Sequence, residues 1–207
     1  MGQPTIALGL ENAGTERDIS TPRLHHINLK TTRLQEMIDW YGLVVGMTVV
    51  HRWDESGAWL SNDEANHRLA LLSTPQTRDD PDKLFHAGVH HSAYEYSEFE
   101  DLLKNYVRLE AAGVRPHAVL DHGMTLSFYY ADPDGNSVEL QADVFGDWAL
   151  SKEFMRGEPF AQDPIGTYVD PEQLIEAWQT GLARDELHAR AHAGAYTPAD
   201  AQDLRVR

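Results

Sequence analysis

Two stretches of this chain read as copies of one unit, and that duplication limits the possible folds more than any other feature. The first copy opens with LHHINL at Leu24 and runs into LQEMIDWYGLVVGM; the second opens with VHHSAY at Val89 and runs into FEDLLKNYVRLEAAGV. Each starts with an apolar residue and a His-His pair in a short strand-like run, then turns to helical periodicity. Leu34, Met37, Ile38 and Tyr41 form the apolar stripe of the first helix, and Phe99, Leu102, Leu103, Tyr106 and Leu109 that of the second. Ser97 is a candidate N-cap for the second helix and Gly113 its stop. Short β-type runs follow both helices. They are MTVVHRW, residues 58–61 and HRLALLS in the first copy, and PHAVL, MTLSFYYAD and SVELQAD in the second. Pro133-Asp134-Gly135-Asn136 marks a hairpin turn between the last two.

The expected architecture is therefore α+β: two βαβββ modules, 22–75 and 88–145, forming a single domain over 22–145. An N-terminal arm, 1–21, precedes it, and a helical C-terminal extension, 146–207, follows. Asp170-Pro171-Glu172 starts one helix of the extension and ARDELHARAHA is a second. The ending AYTPADAQDLRVR reads as a mobile tail. His188 and His192 have the i, i+4 spacing of a metal-binding pair, but no third ligand lies near them in sequence, so solvent exposure is expected.

Composition narrows the chemistry. Seventeen basic against 33 acidic side chains give a net charge of −16, which repels phosphate backbones, so nucleic acid and anionic membranes are not expected partners. No run reaches the roughly 18 apolar residues of a membrane helix. The N-terminal stretch lacks a basic region followed by a long apolar one, so a cytoplasmic location is expected. Absence of cysteine removes disulfides, thiolate nucleophiles and cysteine metal sites. What remains is 11 histidines in an acidic chain, and imidazole with carboxylate is a ligand set for iron, manganese or zinc.

Strand alternation selects among the histidines. Residues i and i+2 share a face, so the members of a His-His pair point to opposite sides. Ile27 and Leu29 are the residues to pack under the first helix, which leaves His26, with Asn28 and Lys30, on the other face. Tyr94 and Tyr96 play the packing role in the second copy and leave His91, with Ala93 and Glu95. Equivalent positions of a duplicated unit meet across its pseudo-twofold axis, so His26 and His91 are expected to be close although 65 residues apart. Glu139, acidic within the apolar run SVELQ, is costly there unless paired or metal-bound. Two histidines and one carboxylate leave coordination positions open, as in non-haem Fe(II) oxygenases. A structural pairing of Glu139 is the alternative.

The stretch 24–143 resembles the vicinal-oxygen-chelate superfamily of glyoxalases, bleomycin-resistance proteins and extradiol dioxygenases. Within it, the chain resembles the one-domain type I extradiol catechol dioxygenases. SFYYADPDGNSVEL looks like that family's ending, with Tyr129 ten positions before the ligand Glu139. VHHSAYEY resembles the strand supplying the metal ligand His91, LHHINL the strand supplying His26, and NHRLAL the strand with an acid–base histidine, His67. The absence of a carboxylate in His67–Leu72, where isomerases carry a fourth ligand, favours a dioxygenase. The larger family members have a histidine about nine positions before the tyrosine. Here His122 and His117 fall at seven and twelve. DHGMT favours His122 as the substrate or oxygen contact, and His117 is the alternative.

The resemblance implies a metal-binding cup holding Fe(II), or Mn(II), through His26, His91 and Glu139, with O2 and a catechol-type diol as substrates. The implied reaction inserts both oxygen atoms beside the diol, giving a 2-hydroxymuconic semialdehyde type product. His67 would move the substrate proton and Tyr129 would hydrogen-bond a reacting oxygen. Trp40, Trp53, Trp59, Phe128 and Tyr130 are candidates for a pocket wall or for core. The negative charge disfavours carboxylated catechols unless Arg68 compensates, so neutral diols, including biphenyl-type ones, are expected. His25 and His90 should face away from the metal, and His51 and His86 should be ordinary. A thiol transferase, an isomerase and a metal-free binding protein are the rival readings. A homo-oligomer is expected.

Overall fold

A computed structural model describes residues 21–205. The first half runs β1 (Ile27–Lys30), α1 (Leu34–Val45), β2 (Thr48–Trp53), β3 (Gly57–Ser61), β4 (Leu69–Leu72). The second repeats that order as β5 (His91–Tyr96), α2 (Phe99–Ala111), β6 (Ala118–Asp121), β7 (Thr125–Ala131), β8 (Ser137–Asp143). Each half makes one mixed sheet, ordered β1-β4-β3-β2 and β5-β8-β7-β6, in which the first strand lies parallel to the last. The α+β class and the twofold βαβββ order are as the repeat requires. The N-terminal arm expected over 1–21 lies, but for its last residue, outside the described residues.

Local patterns account for these elements. Helix α1 buries Leu34, Met37, Ile38, Tyr41, Val44 and Val45, one face at helical spacing, and ends at Gly46 in the left-handed region. Helix α2 buries Phe99, Leu102, Leu103, Tyr106 and Leu109. Its N-cap is Glu98, not Ser97, and no side chain caps it. Ile27, Leu29, Tyr94 and Tyr96 pack against the same apolar cluster as both helices, so the two halves share one core. Polar bonds cross between the halves as well: Tyr41 donates to Asp132 (3.2 Å), Arg33 pairs with Asp134 (2.7 Å), and Arg108 donates to the Leu43 carbonyl (2.6 Å).

Close strand packing makes Gly57 sensitive. A Cβ there would sit 2.7 Å from the Leu71 carbonyl oxygen, which the sheet cannot move aside. Gly57→Ala should therefore lower the thermal midpoint by several degrees, on the order of 1–3 kcal/mol for an overpacked site.

The extension carries α3 (Trp148–Arg156), α4 (Glu158–Gln162), α5 (Pro171–Gln179) and α6 (Arg184–His192), and Asp170 caps α5 through the Glu172 and Gln173 amides. The extension is helical as expected, with one short strand, β9 (Thr167–Tyr168), added to the second sheet beside β6. Its end, expected to be a mobile tail, is instead held. Leu204 is buried, the Gln202 amide bridges the Val119 N–H and the Val169 carbonyl, and Arg205 donates to the Gly135 carbonyl. Unpaired backbone groups on β6 and an apolar side chain draw this segment down, which its polar composition hides. No helix among the described residues is long and apolar enough to cross a membrane.

Candidate active site

The hairpin turn sets the geometry of the site. Asp132 accepts the Asp134 and Asn136 amides and Gly135 takes φ +78°, so the β7–β8 register pairs Ala131 with Ser137 and hence Tyr129 with Glu139. Parallel pairing of β5 with β8 sets His91 opposite Ser137, one diagonal step from Glu139 on the same face. The result is a run of contacts across three strands. His91 Nε2 lies 3.0 Å from Glu139 Oε2, Tyr129 Oη donates to Glu139 Oε1 (3.1 Å), and His122 Nε2 is 2.8 Å from Tyr129 Oη.

Glu139 is 5% exposed. Burial pushes its carboxyl up, but hydrogen bonds from His91 and Ser127 and the charges of His91 and His122 outweigh that, so it titrates below the ordinary range. Burial, then the Glu139 charge beside it, drives the Tyr129 phenol far above its ordinary value of 10.0, so it is a neutral donor.

His26 and His67 stand elsewhere in the cup. Both precede their strands, β1 and β4, whose parallel pairing brings the two ends side by side with ring centroids 4.3 Å apart. Desolvation, helped by His26 and His25, lowers the His67 pKa below its ordinary 6.5. Among the described residues, His25, His26 and His67 form a group whose ligand nitrogens lie within 4.8 Å of one another. His25 thus does not turn away as alternation requires. The pair lies before β1, where no ladder enforces alternation, and the two Nδ1 atoms are 3.1 Å apart. His90 likewise precedes β5. Its Nδ1 meets His91 Nδ1 at 2.7 Å, and its Nε2 meets the Leu204 and Arg205 carbonyls.

A cavity of about 810 Å³ is lined by His25, His26 and Arg68 and by His91 and Trp148; His67, Glu139, Tyr129 and His122 do not line it, and among the described residues His26, His91 and Glu139 do not form a ligand cluster. Leu24, Val89 and Trp148 expose 83%, 84% and 64% of their surface around it, an apolar rim beside an imidazole-lined floor. Arg68 is engaged by Asp63 at 2.8 Å, and that pairing holds the Asp63 carboxyl down to about 2. A second cavity of about 700 Å³ is lined by no histidine; of its cations, Arg33 pairs with Asp79 and Asp134, and Lys83 donates to Asn136.

Of the aromatic wall candidates, Phe128 and Tyr130 are core, Trp40 packs against it, Trp53 is surface, and Trp59 lies tilted against His51. None lines the cavity; Trp148 does, held by Nε1 donating to Glu95 (2.9 Å). His86 pairs with Asp80 on the surface. His117 is fixed by the Asp203 carbonyl and the Ser137 hydroxyl, with its ring 6.2 Å from Tyr129, and burial lowers its pKa. His188 and His192 are not simply exposed: both nitrogens Nδ1 bond the buried Asp121 carboxylate. Ser127 was findable from sequence, two positions from Tyr129 on one strand face. Trp148 carried no local signal, because only the fold brings α3 to the cavity.

Duplicated βαβββ halves around a cup holding histidine and carboxylate define the class. The chain belongs to the Glyoxalase/Bleomycin resistance protein/Dioxygenase superfamily, whose family model matches residues 23–140. Biphenyl-2,3-diol 1,2-dioxygenase 2 of Rhodococcus globerulus is 37% identical over 179 residues, 86% of this chain and 93% of that protein. The same organism's biphenyl-2,3-diol 1,2-dioxygenase 3 is 38% identical over 173 residues, covering 84% and 90%. A glutathione transferase, FosA of Serratia marcescens, is 30% identical over 147 residues, 67% of this chain and 91% of that one. A solved glyoxylase/bleomycin resistance protein/dioxygenase domain from Frankia sp. EAN1pec shares the fold, with TM-score 0.50 at 16% identity over 60% of this chain and 93% of that one.

Proposed function

We propose that the protein is an extradiol ring-cleaving dioxygenase acting on an aryl-substituted, uncharged catechol. The observation that carries this is the His91–Glu139–Tyr129–His122 array, whose His91 lines a cavity with an apolar rim. The 37–38% identity to two enzymes named as biphenyl-diol dioxygenases supports it.

The donors suit the metal that such an activity uses. Glu139 is a buried carboxylate held below its ordinary range by its neighbours, His91 touches it, and His26 lines the same cavity as His91; as a two-histidine, one-carboxylate set the three would hold Fe(II) or Mn(II). Bound Fe(II) supplies the Lewis acidity that ionises the diol and the redox capacity that O2 requires. The residues around it supply the rest. His67, neutral because its pKa is lowered, accepts a proton from a substrate hydroxyl and later returns it. Tyr129, protonated throughout, would turn its one hydrogen from Glu139 to a reacting oxygen, and His122 Nε2 holds the phenol in place. Leu24, Val89 and Trp148 cover the substituent and exclude water.

Anaerobic reconstitution with Fe(II), then 2,3-dihydroxybiphenyl and simple catechols in an oxygen electrode, tests the reading. Oxygen uptake with a yellow product is expected. No uptake across the panel would overturn it, and glutathione consumption without O2 would favour the FosA-like chemistry. His67→Gln should lower turnover about 10²- to 10⁴-fold, the usual share of a general acid–base, with metal content unchanged.

A further inference from the structure

The C-terminal extension reaches into the site through its backbone. β9 pairs with β6, Leu120 opposite Tyr168 and Asp121 opposite Thr167. Just before it, Gly166 has φ +85° and lies so close to β6 that a Cβ would overlap the Asp121 carbonyl oxygen. At this approach the Ile165 carbonyl oxygen is 2.6 Å from His122 Nδ1. A carbonyl only accepts, so Nδ1 carries a hydrogen, and Nε2 is the nitrogen that meets Tyr129 at 2.8 Å.

A second set of bonds clamps the extension at this point. Asp121 is fully buried, and its Oδ2 lies 2.7 Å from His188 Nδ1 and its Oδ1 3.1 Å from His192 Nδ1. Oδ1 also accepts the Gly123 amide at 2.8 Å. The two histidines sit one turn apart on α6, and Thr167 Oγ1 donates to the His192 carbonyl at 2.8 Å, closing the loop back to β9. The carboxylate oxygens thus accept from both rings rather than join them around an ion.

We propose that Asp121, His188 and His192 are positioning residues: they dock α6 and β9 on β6, and so hold the Ile165 carbonyl on His122 Nδ1, keeping a hydrogen on that nitrogen and turning Nε2 towards Tyr129. The catalytic consequence rests on the role given to His122 above; the Nδ1 hydrogen itself does not. A buried carboxylate shared by two imidazoles is an expensive arrangement unless fully bonded, as it is here. Removing hydrogen-bond partners that orient a working histidine typically costs 10- to 100-fold.

The test uses the full chain. Nitrogen-15 spectra of the metal-free protein should show His122 protonated at Nδ1. His188→Ala/His192→Ala should leave Nδ1 only partly protonated, and in the Fe(II)-loaded enzyme give a kcat lower by about tenfold or more with KM within about twofold. His188→Asn, whose amide nitrogen stands where Nδ1 does, should restore both. A double variant with wild-type His122 signals overturns the proposal, whether kcat falls or not. Should the double variant not fold, His188→Ala alone is read in the same way. Absence of oxygen uptake by the wild type would count against the dioxygenase reading, while the Nδ1 hydrogen still decides the clamp.

Discussion

Glu139→Ala is expected to give a folded protein that neither retains Fe(II) nor consumes oxygen. The carboxylate stands on β8 between two strands that each present it a donor, His91 from β5 and Tyr129 from β7. Truncation removes the only anionic donor of the proposed metal set and leaves the His91 and Tyr129 donors facing a small void. The loss of turnover should exceed the about 10- to 100-fold that follows removal of a ligand's hydrogen-bond partner. Stability should change far less. Burying the charge was itself costly, so its removal offsets much of the lost bonding, and a net change within about 2 kcal/mol is expected. Metal content, oxygen uptake and a thermal melt on one preparation separate these effects. Glu139→Gln keeps the volume and controls for the void. Full metal occupancy and activity in either variant would move the centre away from Glu139, towards the His25–His26–His67 group.

The largest loss of stability is expected from Asp132→Ala. One buried carboxylate accepts the Asp134 and Asn136 amides, the Asn136 side chain and the Tyr41 hydroxyl, so it closes the β7–β8 turn and joins it to α1. Its loss orphans buried donors, each worth about 1–3 kcal/mol, so a total near 3 kcal/mol and a fall of about 6–12 °C in the thermal midpoint are expected. Activity should fall further than the folded fraction, because this turn sets the register that places Tyr129 against Glu139. Asp132→Asn keeps the acceptor and should cost much less. Burial raises the Asp132 carboxyl above 3.8, so the fold binds its proton more tightly than the unfolded chain does. The advantage of that protonated form is complete below the unfolded value and disappears as pH rises through the folded one, so Asn should compare best with wild type at neutral pH. Chemical denaturation of the three proteins at pH 4 and pH 7 measures this.

Much of the site was legible because its determinants are local. Tyr129 and Glu139 lie five positions either side of Asp134, so recognising the turn was enough to pair them. Helical spacing found the buried faces of α1 and α2, and alternation found Tyr94 and Tyr96. Alternation failed at His25 and His26 because these residues sit outside the ladder. It also could not show that His67 belongs beside His26 rather than within the Glu139 array.

By itself the sequence determined the duplicated βαβββ order, the helix faces, the hairpin register and the histidine-and-carboxylate chemistry, all properties of spacing along the chain. The tertiary structure alone decided the contacts that join distant segments: Asp121 with His188 and His192, the Ile165 carbonyl with His122, Trp148 at the cavity and Leu204 against the second sheet. Such contacts are selected when packing brings together groups that would otherwise be buried unpaired, and periodicity over a few residues carries no record of that choice.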